Sequence, residues 1–268
     1  MTVPGTSALR PDQEARLGIP ASPVDAAVSD QLSLARLLAL FLVPGALVTL
    51  AFVALAPVVE ALGFPPIVAL LVAIVGILVP FELGVVLWAG RGTGSMLGAI
   101  SYRRPMRLRT WLWLVPTLIL AAFVGFGLHQ AIEPQLIRSL FGWVPQWFVT
   151  PISMERVGEY SSAAWIVTLV AFFAINGFLG PIVEELYFRG YLLPRMERFG
   201  RWAPLVNVSL FSLYHFWSPW QLVARILGIG PTVYVVRWKR NIYLGMVVHC
   251  SLNSIGVLLV AAMVAGRV

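Results

Sequence analysis

The chain has 268 residues, one cysteine and a formal net charge of +7 at pH 7. It is 59% hydrophobic and 12% charged, against about 25% charged in an ordinary soluble domain, and its mean hydropathy is +0.85. These values exclude an ordinary soluble globule, and a single cysteine excludes an intramolecular disulfide or a cysteine-built metal site.

Residues 1–32 are polar and rich in Pro, Ala and Asp. No basic stretch followed by an apolar run occurs there, so the segment predicts a flexible cytoplasmic N-terminal tail and not a cleaved signal peptide. Residues 33–268 then read as one integral membrane domain. A span needs about 20 mostly apolar residues. Spans are expected over 37–59, 67–89, 111–132 and 163–183, the last running on into two glutamates. Two shorter segments follow, 204–217 and 222–236, either of which suits a re-entrant element, and 242–265 closes the chain. The predicted fold class is an all-α polytopic transmembrane helix bundle of about seven spans.

The basic residues fall in short loops. Arg91, Arg103, Arg104, Arg107 and Arg109 lie between the second and third spans. Arg189, Arg195, Arg198 and Arg201 lie between the fourth and fifth, and Arg237, Lys239 and Arg240 between the sixth and seventh. Seven spans put all three loops on one side. That side is expected to be cytoplasmic, with the N-terminus inside and the C-terminus outside. A plasma (inner) membrane location follows, and the basic charge reports topology, not nucleic-acid binding. Trp111, Trp113, Trp217 and Trp220 flank spans and read as aromatic-belt anchors. Glu82 and His129 are expected to be packing or interface residues, and Cys250 a small buried hydrophobe. Arg225 either snorkels or binds a substrate carboxylate.

Chemistry is expected where ionisable groups sit in apolar runs, because such groups are costly in a membrane. Glu184 and Glu185 follow Gly-Pro-Ile-Val. Glu185 and Arg189 are four residues apart on one helical face, so Arg189 pairs with Glu185. Glu184 points about 100° away and is left as the reactive carboxylate. Pro181, one turn earlier, can bend the helix and aim Glu184 inward. His215 and His249 lie roughly 16 and 10 Å into their spans from the same side at 1.5 Å per residue. Phe211, one turn before His215, offers its ring an apolar wall. His249 and Asn253 share a face and together offer donors to a developing oxyanion.

The ordered set Glu184-Glu185-x-x-x-Arg189, Phe211-x-x-x-His215 and His249-x-x-x-Asn253 resembles the signature motifs of the CAAX protease and bacteriocin-processing (CPBP) family. These are intramembrane endopeptidases related to the type II prenyl-protein protease. The resemblance covers about residues 160–260, which it marks as the catalytic core. It implies a protease in which Glu184, helped by His215, activates water, while His249 and Asn253 stabilise the oxyanion and Glu185 and Arg189 support the site. The implied substrate is a membrane-associated or lipidated protein or peptide, met at the bilayer. One glutamate and two histidines could supply three ligands to zinc, but the His-Glu-x-x-His signature is absent. A metal-free mechanism therefore fits equally, and the metal stays open. A proton-coupled transporter using the same residues is the rival reading, though no related halves are visible. A silent scaffold or immunity protein is the other.

Overall fold

The computed structural model describes residues 31–93, 95 and 97–267. Of the expected tail, residues 1–30 lie outside the described residues. Its last two are packed: Leu32 is 1% exposed, and the Gln31 side chain accepts a hydrogen bond from the Arg198 N–H at 3.2 Å.

The described residues are helical, with no strand among them. Helix α1 (Leu34–Ala61) starts at Ser33, whose hydroxyl accepts the Arg36 N–H at 3.3 Å. Gly63, at φ 80°, turns the chain into Pro65 and Pro66, and α2 (Ile67–Thr93) follows. Next come α3 (Leu108–Gln130) and the short α4 (Glu133–Leu140). Helix α5 (Ser162–Ala174) does not stop at the glutamates. It continues through a π turn (Ile175–Leu179), an α turn (Gly180–Glu184) and a π segment (Glu185–Leu192). A 3₁₀ stretch, interrupted at Met196 and Gly200, leads into α6 (Ala203–Tyr214). Helices α7 (Leu222–Lys239) and α8 (Ile242–Ala265) complete the bundle.

Five helical runs are long and apolar enough to cross a membrane: α1, α2, α3, the run Ser162–Tyr214, and α8. The all-α membrane bundle stands, and the expected count of about seven spans is approximate. Helix α6 has 12 residues, about 18 Å at 1.5 Å each, against a hydrocarbon core of about 30 Å. Helix α7 carries Arg225, Arg237 and Lys239. The α6–α7 hairpin is instead completed at its tip by the loop after α4. Trp220 packs edge-on against Phe141 and Phe148, 5.8 and 6.2 Å between centroids. Phe148 in turn stacks on Phe52 of α1 at 5.3 Å. Trp220 is therefore a buried packing residue and not a belt anchor, whereas Trp113 is exposed.

The expected sidedness of the loops is visible as contacts. Arg103 bridges Asn241, the Ile242 N–H donates to the Tyr102 carbonyl at 2.8 Å, and the Ser101 N–H donates to the Gly190 carbonyl at 2.9 Å. Arg237 pairs with Glu197. The three basic loops thus meet at one end of the bundle. Tyr102, beneath them, has its phenol pushed up to about 12 by burial and then by Glu197. At the other end Arg156 reaches Glu60 at 2.8 Å, tying the segment before α5 to the last turn of α1.

Helix contacts explain several residue choices. Pro44 in α1 has no N–H, so the carbonyl four residues back, Leu40, lacks its helical donor. The Tyr187 hydroxyl supplies one at 2.8 Å, which pins α5 to α1. Gly45 lets the Tyr214 backbone of α6 approach α1. Gly125 of α3 faces the backbone of Leu227 and Gly228 of α7, a small-residue crossing of the membrane type. Buried Asn207 of α6 donates to the Phe188 carbonyl at 3.0 Å and fixes α6 to the π segment.

Candidate active site

Proline 181 would press its ring on the carbonyl of residue 177 and cannot donate to it. The π turn Ile175–Leu179 relieves this, and the helix continues with Pro181 buried. The same device recurs in α2, where the π turn Ile74–Leu78 precedes Pro80. In each helix a buried glutamate follows: Glu82, 0% exposed, and Glu184, 6% exposed. Single π turns inside α-helices gather at functional sites.

Glu184 is the centre of the arrangement. The Tyr214 hydroxyl donates to its Oε1 at 3.0 Å. His215 Nε2 stands 3.9 Å from Oε1, and His249 Nε2 3.7 Å from Oε2. Both separations are too long for a direct hydrogen bond and leave carboxylate lone pairs open to a small molecule.

His215 ends α6 with φ −77° and ψ 59°. Irregular backbone at membrane depth is tolerated where it lines a cavity. Its Nδ1 donates to the Phe211 carbonyl at 2.7 Å, which leaves Nε2 as an acceptor in the neutral ring. Phe211 and Tyr214 meet the ring edge-on, at 4.8 and 4.6 Å, and Trp217 lies 4.7 Å away. Trp217 is thus part of the site wall and not a belt anchor.

His249 projects from α8. Its Nδ1 meets Glu185 Oε1 at 3.2 Å. Glu185 also faces Arg189, Nη1 to Oε1 at 3.2 Å. The guanidinium is fully buried and makes no hydrogen bond among the described residues. It lies 4.1 Å from the Phe211 ring centroid, so the Glu185–Arg189 pair is held by charge and by the aromatic face. Gly245 makes room for the Glu185 carboxylate. Gly245→Ala is expected to cost about 1–3 kcal/mol through overpacking, read as a lower Tm in detergent.

Glu184, His215, His249 and Asn253 line one cavity of about 270 Å³, with Asn176, Trp217 and Arg225 also in its wall. Asn253 donates one amide proton to the Asn176 carbonyl at 2.9 Å, and an amide carries a second. Glu185 and Arg189 lie outside the lining; Glu185 touches it through His249 and Arg189 through the Phe211 ring. Arg225 is held by Ser218 and Gln221, with Nη1 3.1 Å from the Ser218 carbonyl, so it faces the cavity instead of snorkelling to a membrane surface. His129 is a packing residue, Nε2 3.0 Å from the Trp220 carbonyl. Cys250 is half-buried.

Asn176 was not legible as part of the cavity wall, nor Tyr214 as a partner of Glu184. Glu82 carried one signal, a lone charge inside an apolar run. It faces Glu184 and Tyr214.

Among the described residues, no three His, Cys, Asp or Glu side chains are grouped so as to hold a metal ion. The residues present do not form a ready zinc ligand set, and the chemistry below is derived from protein side chains.

An apolar groove adjoins the cavity. It shares Asn176, Asn253, Phe126 and Gln221 with it and opens between α3, α5 and α8 past Phe172 and Leu259. No curated protein and no solved structure matches the chain. Residues 165–255 match the family model described as type II CAAX prenyl endopeptidase Rce1-like. The matched segment carries Glu184, His215, His249 and Asn253 on a single cavity, and the match supports the likeness to the CAAX protease and bacteriocin-processing family.

Proposed function

We propose that the protein is an intramembrane endopeptidase, acting on a membrane-associated or lipidated protein or peptide with residues 160–260 as its catalytic core. One observation carries the reading: a lone buried carboxylate edge, two imidazoles and a carboxamide converge on one cavity from three helices. Water held between Glu184 and His215 gives one proton to the carboxylate and rests the other on His215 Nε2. Its oxygen attacks the scissile carbonyl. The oxyanion takes hydrogen bonds from the second Asn253 amide proton and from His249 Nε2–H. Donation from Nε2 while Nδ1 donates to Glu185 requires the doubly protonated ring. Glu184 then passes its proton to the leaving nitrogen, which closes the cycle with atoms balanced. Glu185 and Arg189 hold His249 in place.

The side groove supports entry of substrate from the bilayer. The basic loops, gathered at one end, support a cytoplasmic face there with the N-terminus inside. The test is cleavage by purified protein in liposomes, against lipidated and unlipidated peptides, with and without a chelator. Cleavage that survives the chelator supports the side-chain mechanism. Asn253→Ala is expected to lower kcat about 10²–10³-fold, the usual loss for one oxyanion donor. An unchanged kcat would remove Asn253 from that role. No cleavage of any peptide by wild type would move the reading to proton-coupled transport, and flux would be measured next.

A further inference from the structure

Glu82 lies outside the matched segment and has no part in the reaction above. It is 0% exposed, and neither of its oxygens has a hydrogen-bond partner among the described residues. A charged carboxylate without water or donors is among the costliest groups to bury. The groups facing it are Glu184, Tyr187 and Arg189 of the α5 run and Tyr214 of α6. The Tyr214 hydroxyl donates its only proton to Glu184 Oε1 at 3.0 Å. The same hydroxyl also faces the Glu82 carboxyl group, within reach of it but outside hydrogen-bonding geometry. Only lone pairs remain on that side of the tyrosine oxygen, and what complements a lone pair is an O–H. Two neighbouring carboxyl groups in an apolar site do not both ionise. The donors sit on the Glu184 side of the pair, so the charge belongs there and the proton on Glu82.

Building on the protease reading, we propose that Glu82 is a positioning residue. As a neutral carboxylic acid it donates to Tyr214, which donates to Glu184, so that Glu184 stays the one ionised carboxylate aimed at the cavity. No proton is transferred along this chain: Glu82 O–H to Tyr214 Oη, and Tyr214 O–H to Glu184 Oε1. The matching π turn and proline before each glutamate show that both helices are locally opened to bring these carboxyl groups together.

Two measurements test this. In infrared spectra of the reconstituted protein at neutral pH, wild type is expected to show the carbonyl stretch of a buried protonated carboxyl group, lost in Glu82→Gln. Absence of the band, or a band unchanged in that variant, overturns the proposal whether or not the protein cleaves peptides. In the cleavage assay, Glu82→Met removes the donor at similar size. It is expected to lower kcat roughly tenfold, with KM unchanged. Glu82→Gln, which keeps a donor, is expected to recover most of that loss. Equal kcat in wild type and Glu82→Met overturns the proposal, as does a Glu82→Gln variant no better than Glu82→Met. If wild type cleaves nothing while the band is present and lost in Glu82→Gln, the protonated Glu82 stands and the protease reading fails.

Discussion

Glu184→Gln is expected to lower kcat by roughly a thousandfold, within the range for loss of a general base, while the protein stays folded. Glutamine has the same shape as glutamate, and its carbonyl oxygen can still accept the Tyr214 hydroxyl that now donates at 3.0 Å. What it lacks is the lone-pair basicity to take a proton from water. The drop should therefore appear in kcat, with KM and Tm close to wild type. Single-turnover cleavage in liposomes, with thermal unfolding measured on the same preparation, separates the two. A variant that is folded and still active would move the base elsewhere, and Glu185 would be tested next.

Arg189→Met is expected to cost about 3–5 kcal/mol, the usual price of leaving a buried charge unpaired. Glu185 is 1% exposed, and it would keep only His249 as a partner. The loss should appear as a fall in Tm and in the monodisperse fraction after extraction. The double variant Arg189→Met with Glu185→Gln should recover much of that loss, because it removes both charges together. A double variant no more stable than the single one would assign the cost to lost packing over Phe211 instead.

The family motifs were legible because ionisable groups stand out in apolar runs. Glu184, Glu185, His215 and His249 needed no structure to be noticed, and the four-residue spacing alone placed Arg189 beside Glu185. Glu82 was noticed, but its neighbours were not. No partner lies within one helical turn of it, and the groups that give it meaning come from α5 and α6. The number of crossings was legible only approximately for a related reason. Hydropathy sees a segment, not the neighbours that let α6 stop short, and the aromatic cap over its tip comes from the loop after α4. Trp217 and Trp220 misled in the same way, since a tryptophan at a segment end reads as an interfacial anchor until that end is seen to be covered by protein.

The hydrogen bond between Tyr187 and the Leu40 carbonyl has a consequence for how this chain can change over generations. Proline at 44 creates the vacancy that the tyrosine hydroxyl fills at 2.8 Å. An ordinary residue at 44 would restore the helical N–H, and the second lone pair of the carbonyl would still accept the hydroxyl. Phenylalanine at 187 would leave the carbonyl bare in an apolar interior, at about 1–3 kcal/mol. Loss of the tyrosine hydroxyl is therefore penalised only while proline stands at 44. Position 187 is expected to keep its tyrosine for as long as 44 keeps its proline, so that the N-terminal helix, although outside the matched segment, constrains the helix that bears the glutamates.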